Sequence, residues 1–114
     1  MLGPDHPDTL LNRNNLASWL GEVGRVENAI EHSTAVLADR VRVLGPGHLH
    51  TLGTRNNFAF YLGEAGQVEQ AIEQLTVLLA DRIRVLGPDH PDTLGTRTDL
   101  ADSLGKVGQG EQAI

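Results

Sequence analysis

The side chains able to do chemistry recur at one interval. Histidine stands at His6, His48 and His90, each 42 residues from the next, and His50 adds a further imidazole beside His48. Imidazole binds metals and moves protons near neutral pH. Copies carried by successive equal units lie about one repeat apart, far beyond the ~2 Å reach of a shared metal ion. The translated histidines therefore predict seats for turns or helix caps rather than a ligand set. His48 and His50 are neighbours, but the chain has no cysteine and no carboxylate triad beside them, so a zinc site is not expected. Ser18, Ser33 and Ser103 lack the glycine-flanked turn that exposes a nucleophile. His32 lies in polar helical sequence, and no nucleophile, base and orienting acid line up. Gly21-Glu22-Val23-Gly24 opens no strand-loop-helix unit, and no phosphate-cradling GxxxxGK[ST] occurs. The expectation is a protein without catalysis, metal or cofactor.

Charge narrows the partner. Nine Lys plus Arg against fifteen Asp plus Glu leave a net charge of −6 over 114 residues, which opposes attraction to nucleic acid. No run approaches the ~20 apolar residues that cross a bilayer, and Met1-Leu2-Gly3-Pro4-Asp5 has no basic stretch followed by an apolar one. The chain reads as soluble and cytoplasmic, with no membrane partner.

These residues are positioned by a repeat. LGPDHPDTL from Leu2, LGPGHLHTL from Leu44 and LGPDHPDTL from Leu86 divide the chain into units of about 2–43, 44–85 and a partial 86–114. A period in this range marks stacked supersecondary units whose cores form between neighbours. In the first unit, Leu10, Leu16, Ala17, Leu20 and Val23 keep a helical rhythm that predicts helix A from about Asp8 to Val23. Pro7 suits its first turn, Asp5 or His6 its cap, and Gly24 its stop. Val26, Ala29, Ile30, Ser33, Leu37, Val41 and Leu44 predict helix B from about Val26 to Leu44, with Arg40 and Arg42 facing the negative end of its dipole. The second unit repeats this grammar, with its helix B from Val68 to Leu86. The third supplies a helix A from about Asp92 to Val107, followed by a stretch too short to nucleate a helix unaided. Five helices and a truncated sixth are expected, in antiparallel hairpins forced by short links.

Asn15-Leu16-Ala17, Leu20, Gly24, Ala29-Ile30 and Leu37, with their counterparts Asn57, Ala59, Leu62, Gly66, Ala71-Ile72 and Leu79, resemble the tetratricopeptide pattern. Leu100-Ala101, Leu104, Gly108 and Ala113-Ile114 extend it to the third unit. The 42-residue period with its LGxxHxxT link is similar to the kinesin-light-chain type of repeat. The resemblance implies an all-α solenoid of helical hairpins, a single array over residues 1–114, whose A helices line a concave face that binds a protein or peptide. On that face it places Asn14, Asn15 and Ser18, then Asn56, Asn57 and Phe60, then Thr98, Asp99 and Asp102. The asparagine amides, each donor and acceptor, suit either a peptide backbone or a bond within the scaffold. Asp99 and Asp102 give one end an acidic character that favours a basic segment.

Trp19 and Tyr61 are expected to pack between hairpins. Replacement of Trp19 and Tyr61 by Ser103, and of Val26 and Val68 by Gly110, reads as the reduced burial of a terminal cap. Leu100 and Leu104 then lack a covering helix B, an uncapped edge open to homodimerisation or to truncated mini-arrays that self-associate.

Overall fold

The first N–H groups of a helix have no partner within it, and the repeated histidines supply one at three helix starts. His6 Nδ1 accepts from the Asp8 backbone N–H at 3.2 Å, His48 Nδ1 from that of His50 at 3.1 Å, and His90 Nδ1 from that of Asp92 at 3.0 Å. Because Nδ1 accepts, the neutral ring carries its proton on Nε2. The computed structural model describes Gly3 and residues 6–113, with side chains through residue 108. It contains α1 (Pro7–Glu22), α2 (Val26–Leu44), α3 (Leu49–Glu64), α4 (Val68–Leu86) and α5 (Pro91–Ala113). Each helix packs chiefly on its chain neighbours, while α1 meets α3 and α3 meets α5 only lightly. The result is an elongated slab of 54 × 33 × 19 Å. No described helix is long and apolar enough to cross a membrane.

Glycine ends the A helices by reversing φ. Gly24 and Gly66 stand at φ +85° and +86°, and the residues after them, Arg25 and Gln67, donate their N–H groups back to Leu20 and Leu62. That closure satisfies carbonyls the helix leaves free and turns the chain into α2 and α4. At Gly108 no such reversal occurs, and α5 runs on to Ala113. A separate sixth helix is therefore not formed among the described residues. The reason lies two residues on. Val26 packs against the core of its hairpin, whereas Gly110 at the matching position has no side chain to draw the chain back.

The core forms between hairpins. The buried stripe of α2 runs Ala29, Ser33, Val36 and Arg40, and that of α4 runs Ala71, Leu75, Leu78 and Arg82. Val36 thus takes the inward place, while Val41 is exposed. Ala17, Ala29 and Tyr61 form one cluster with Leu20, Val26 and Ile30. Leu52, Ala59, Leu75 and Leu78 form another, against which Leu100 packs.

Position within the unit decides which neighbour a side chain needs. Trp19 is 62 % exposed, against the expectation, while its counterpart Tyr61 is buried. This position faces the preceding hairpin, and no described helix precedes α1. Leu16, also exposed, has the same orientation. Leu100 occupies that orientation in the third unit and finds α3 and α4 behind it, so it does not lack a cover. Ser103 likewise is buried, which corrects its reading as a poorly buried cap residue. Leu94 and Leu104 face the other way and are exposed.

Arg40 and Arg82 do more than meet a helix dipole. Both are buried. Arg40 Nη1 donates to the His50 carbonyl at 3.0 Å and to Thr54 Oγ1 at 2.8 Å, and the Thr54 hydroxyl points to Asn14 Oδ1 at 3.1 Å. Arg82 Nη1 repeats this with the Asp92 carbonyl at 2.7 Å and Thr96 Oγ1 at 3.1 Å, and Thr96 reaches Asn56 Oδ1 at 2.8 Å. Burial pushes both guanidinium groups below their ordinary pKa, and the Asp92 and Asp99 carboxylates oppose that shift at Arg82. Each relay ties three helices from two successive units.

Candidate functional site

The A helices meet only lightly, and clefts open between them. The first lies between α1 and α3, has a volume of about 420 Å³, and is lined by Ser18, Asn57, Phe60 and Tyr61. The second lies between α3 and α5, has a volume of about 400 Å³, and is lined by Phe60, Asp99, Asp102 and Ser103. Phe60 borders both. Half of its surface is exposed, and its ring meets Tyr61 edge-on with centroids 6.1 Å apart. One aromatic side chain therefore stands as a wall common to the two clefts, which follow one another along the groove of the A helices.

Five of the nine sequence-expected residues gather in this groove: Ser18, Asn57, Phe60, Asp99 and Asp102. The others stand elsewhere. Asn14 and Asn56 have their amide oxygens engaged by Thr54 and Thr96 in the buried relays, and the Asn56 amide also donates to Asp99 Oδ2 at 3.0 Å. Thr98 returns its hydroxyl to the Leu94 carbonyl at 3.1 Å. Asn15 is exposed and lines neither cleft.

Further residues line the groove that the tetratricopeptide pattern does not single out. Glu64 borders both clefts, and Lys106 borders the second with its ammonium 4.0 Å from Glu64 Oε1. Gly63 and Ser103 form part of the second cleft's wall. Their signal was available as a register: Gly21 and Gly63 match across 42 residues, whereas Tyr61 gives way to Ser103. With Glu64, Asp99 and Asp102 against Lys106, the second cleft carries an excess of negative charge. The described residues include no group of three or more His, Asp and Glu side chains placed to hold a metal. Chemically, the groove offers an aromatic face, amide and hydroxyl bonds, and a carboxylate rim. It offers a surface for recognition.

Comparison with known proteins agrees with this architecture. A family model described as the tetratricopeptide repeat matches residues 8–82. A crystal structure from Podosopora anserina, described as "putative kinesin light chain nearly identical TPR-like repeats", superposes with a TM-score of 0.87 at 28 % identity. It covers 99 % of this chain and 54 % of its own. A single-substitution variant of that protein gives a TM-score of 0.80 at 28 % identity, covering 98 % of this chain and 53 % of its own. The present chain thus spans about half the length of these structures. No curated protein matches it.

Proposed function

Because this chain belongs to the tetratricopeptide repeat family, whose members generally mediate protein–protein interaction, we propose that it is a non-catalytic module that binds a protein segment along the groove between α1, α3 and α5. The observation that carries this reading is the half-exposed Phe60 ring shared by two clefts. A large ring left in water beside concave, partly polar walls is the arrangement that anchors a partner segment. Asn57 and Ser18 supply hydrogen bonds on one side of it, and Asp99 and Asp102 supply charge on the other. Asn14 and Asn56 hold the A helices in register through Thr54 and Thr96.

Phe60→Ala tests this by uncoupling binding from stability. The variant is expected to lose binding to a peptide array while its unfolding free energy changes by less than about 1 kcal/mol. A destabilisation of roughly 3 kcal/mol or more would make the ring a core residue, and unchanged binding would remove it from the interface.

A second reading, self-association through the outer face of α5, is favoured by the exposure of Leu94 and Leu104 together. Sedimentation over a range of concentrations tests it. A monomer at every concentration rejects it.

A further inference from the structure

The two clefts share their walls and differ in what fills them. In the first, the Tyr61 ring leaves α3 and lies on Gly21 so closely that a Cβ there would stand 2.6 Å from ring Cε1. Ala17, Leu20, Val26, Ala29 and Ile30 surround it. Forty-two residues on, those walls return as Ala59, Leu62, Val68, Ala71 and Ile72, with Gly63 in place of Gly21. The position of the ring is taken by Ser103. A Cβ on Gly63 would meet nothing nearer than the Ala71 methyl at 3.8 Å.

Depth, rather than volume, separates the two. The second cleft reaches the fully buried Ala59 and Leu75, whereas the first is walled by Tyr61 and does not extend to the equivalent Ala17 and Ser33. Ser103 lines that deeper space at only 8 % exposure, and its hydroxyl makes no hydrogen bond among the described residues. The oxygen is not sealed inside the protein, as Ser33 Oγ is, but keeps access to the cleft, where it can donate to or accept from a ligand group.

We propose that the α3–α5 cleft receives an aromatic side chain from a basic partner segment, seated over Gly63 where the chain's own tyrosine would lie. This rests on the groove reading above and specifies its ligand. A flat ring can lie on a glycine at the closeness Tyr61 shows on Gly21, and a tyrosine hydroxyl or indole N–H suits the free Ser103 hydroxyl. Basic residues flanking the ring meet Glu64, Asp99 and Asp102, which outnumber the one ammonium of Lys106.

The test uses labelled dodecapeptides with arginine and lysine flanks and a central Tyr, Trp, Leu or Ala, titrated by fluorescence anisotropy. The native protein is expected to bind the Tyr- and Trp-centred peptides about tenfold or more tightly than the Ala-centred one. Ser103→Tyr fills the space from within. It should abolish that preference while keeping or raising the melting temperature. Gly63→Ala, a milder change with room for its methyl group, should reduce the preference severalfold, and so serves if the tyrosine variant does not fold. Asp102→Lys should weaken every basic peptide alike. Equal affinity for Tyr- and Ala-centred peptides, or an aromatic preference that persists in Ser103→Tyr or is undiminished in Gly63→Ala, overturns the socket. If Phe60→Ala still weakens peptide binding in that case, the groove reading stands without it. Binding of no peptide at all overturns both.

Discussion

The α1–α3 and α3–α5 seams are built from matching walls and matching buried arginines, yet a phenol ring closes one and a hydroxymethyl group stands in the other. Arg40 and Arg82 make equivalent bonds to Thr54 and Thr96, so the polar part of the seam is indifferent to this exchange. In a stacked array, the scaffold is what repeats. A single departure at a position facing the preceding unit can open a recess without loosening the joint.

The largest expected effect comes from making the seams alike. Tyr61→Ser removes a buried ring from the first seam and should lower stability by about 3 kcal/mol in a urea melt. A loss below about 1 kcal/mol would show that the ring does not close that seam.

Smaller and more diagnostic is the response of the paired glycines. Gly21→Ala must displace the Tyr61 ring, 2.6 Å from the new Cβ, and should cost about 1–3 kcal/mol. Gly63→Ala, in the last turn of α3, meets only the Ala71 methyl at 3.8 Å and should be neutral or stabilising by at most about 0.5–1 kcal/mol. In a Tyr61→Ser background the penalty at Gly21 should disappear. Equal responses at the two glycines would break the comparison.

The smallest effect concerns a feature the first two hairpins share. Arg13 bonds Asp39 at 2.7 Å and Arg55 bonds Asp81 at 2.7 Å, with Arg42 and Arg84 adding second contacts at 3.2 Å. The hydrogen bond from Arg13, then that from Arg42, holds the Asp39 carboxyl below its usual pKa. At Asp81 the bond from Arg55 dominates and outweighs the opposing effect of burial. A carboxylate with a depressed folded pKa stabilises the fold above its unfolded pKa, here about 3.8, and that contribution is lost as pH falls through the folded value. Stability should therefore drop with acid below about pH 4. Asp39→Asn and Asp81→Asn should each flatten that slope by a similar amount, with about 0.2–1 kcal/mol lost at neutral pH, as for partly exposed ion pairs. Unequal slopes would show that the hairpins differ in charge pairing as well as in the ring.

Much of this was legible because glycine and proline punctuate so firmly. The bounds Val26–Leu44 and Val68–Leu86 follow from their flanking glycines, and the histidine caps from their place beside each helix start. What the sequence concealed was the identity of the neighbour. Trp19 and Tyr61 are equally good core residues by type, but among the described residues only Tyr61 has a hairpin behind it. Arg40 near the end of α2 has a sufficient explanation in the dipole until the His50 carbonyl and Thr54 are seen to enclose it. In the groove, the resemblance to the tetratricopeptide pattern brought out Phe60, Asp99 and Asp102. It could not tell the Asn14 and Asn56 amides, tied into the relays, from Asn57 in the cleft.

The two relays share α3. Thr54 serves Arg40 from one side of it and Asn56 serves Thr96 from another, two residues apart on the same helix. The boundary of cooperation thus falls about half a period away from the boundary of the sequence phrase, and neither hairpin can melt without stripping partners from a buried guanidinium in the next joint. Nearest-neighbour coupling of that kind makes the array unfold as one event.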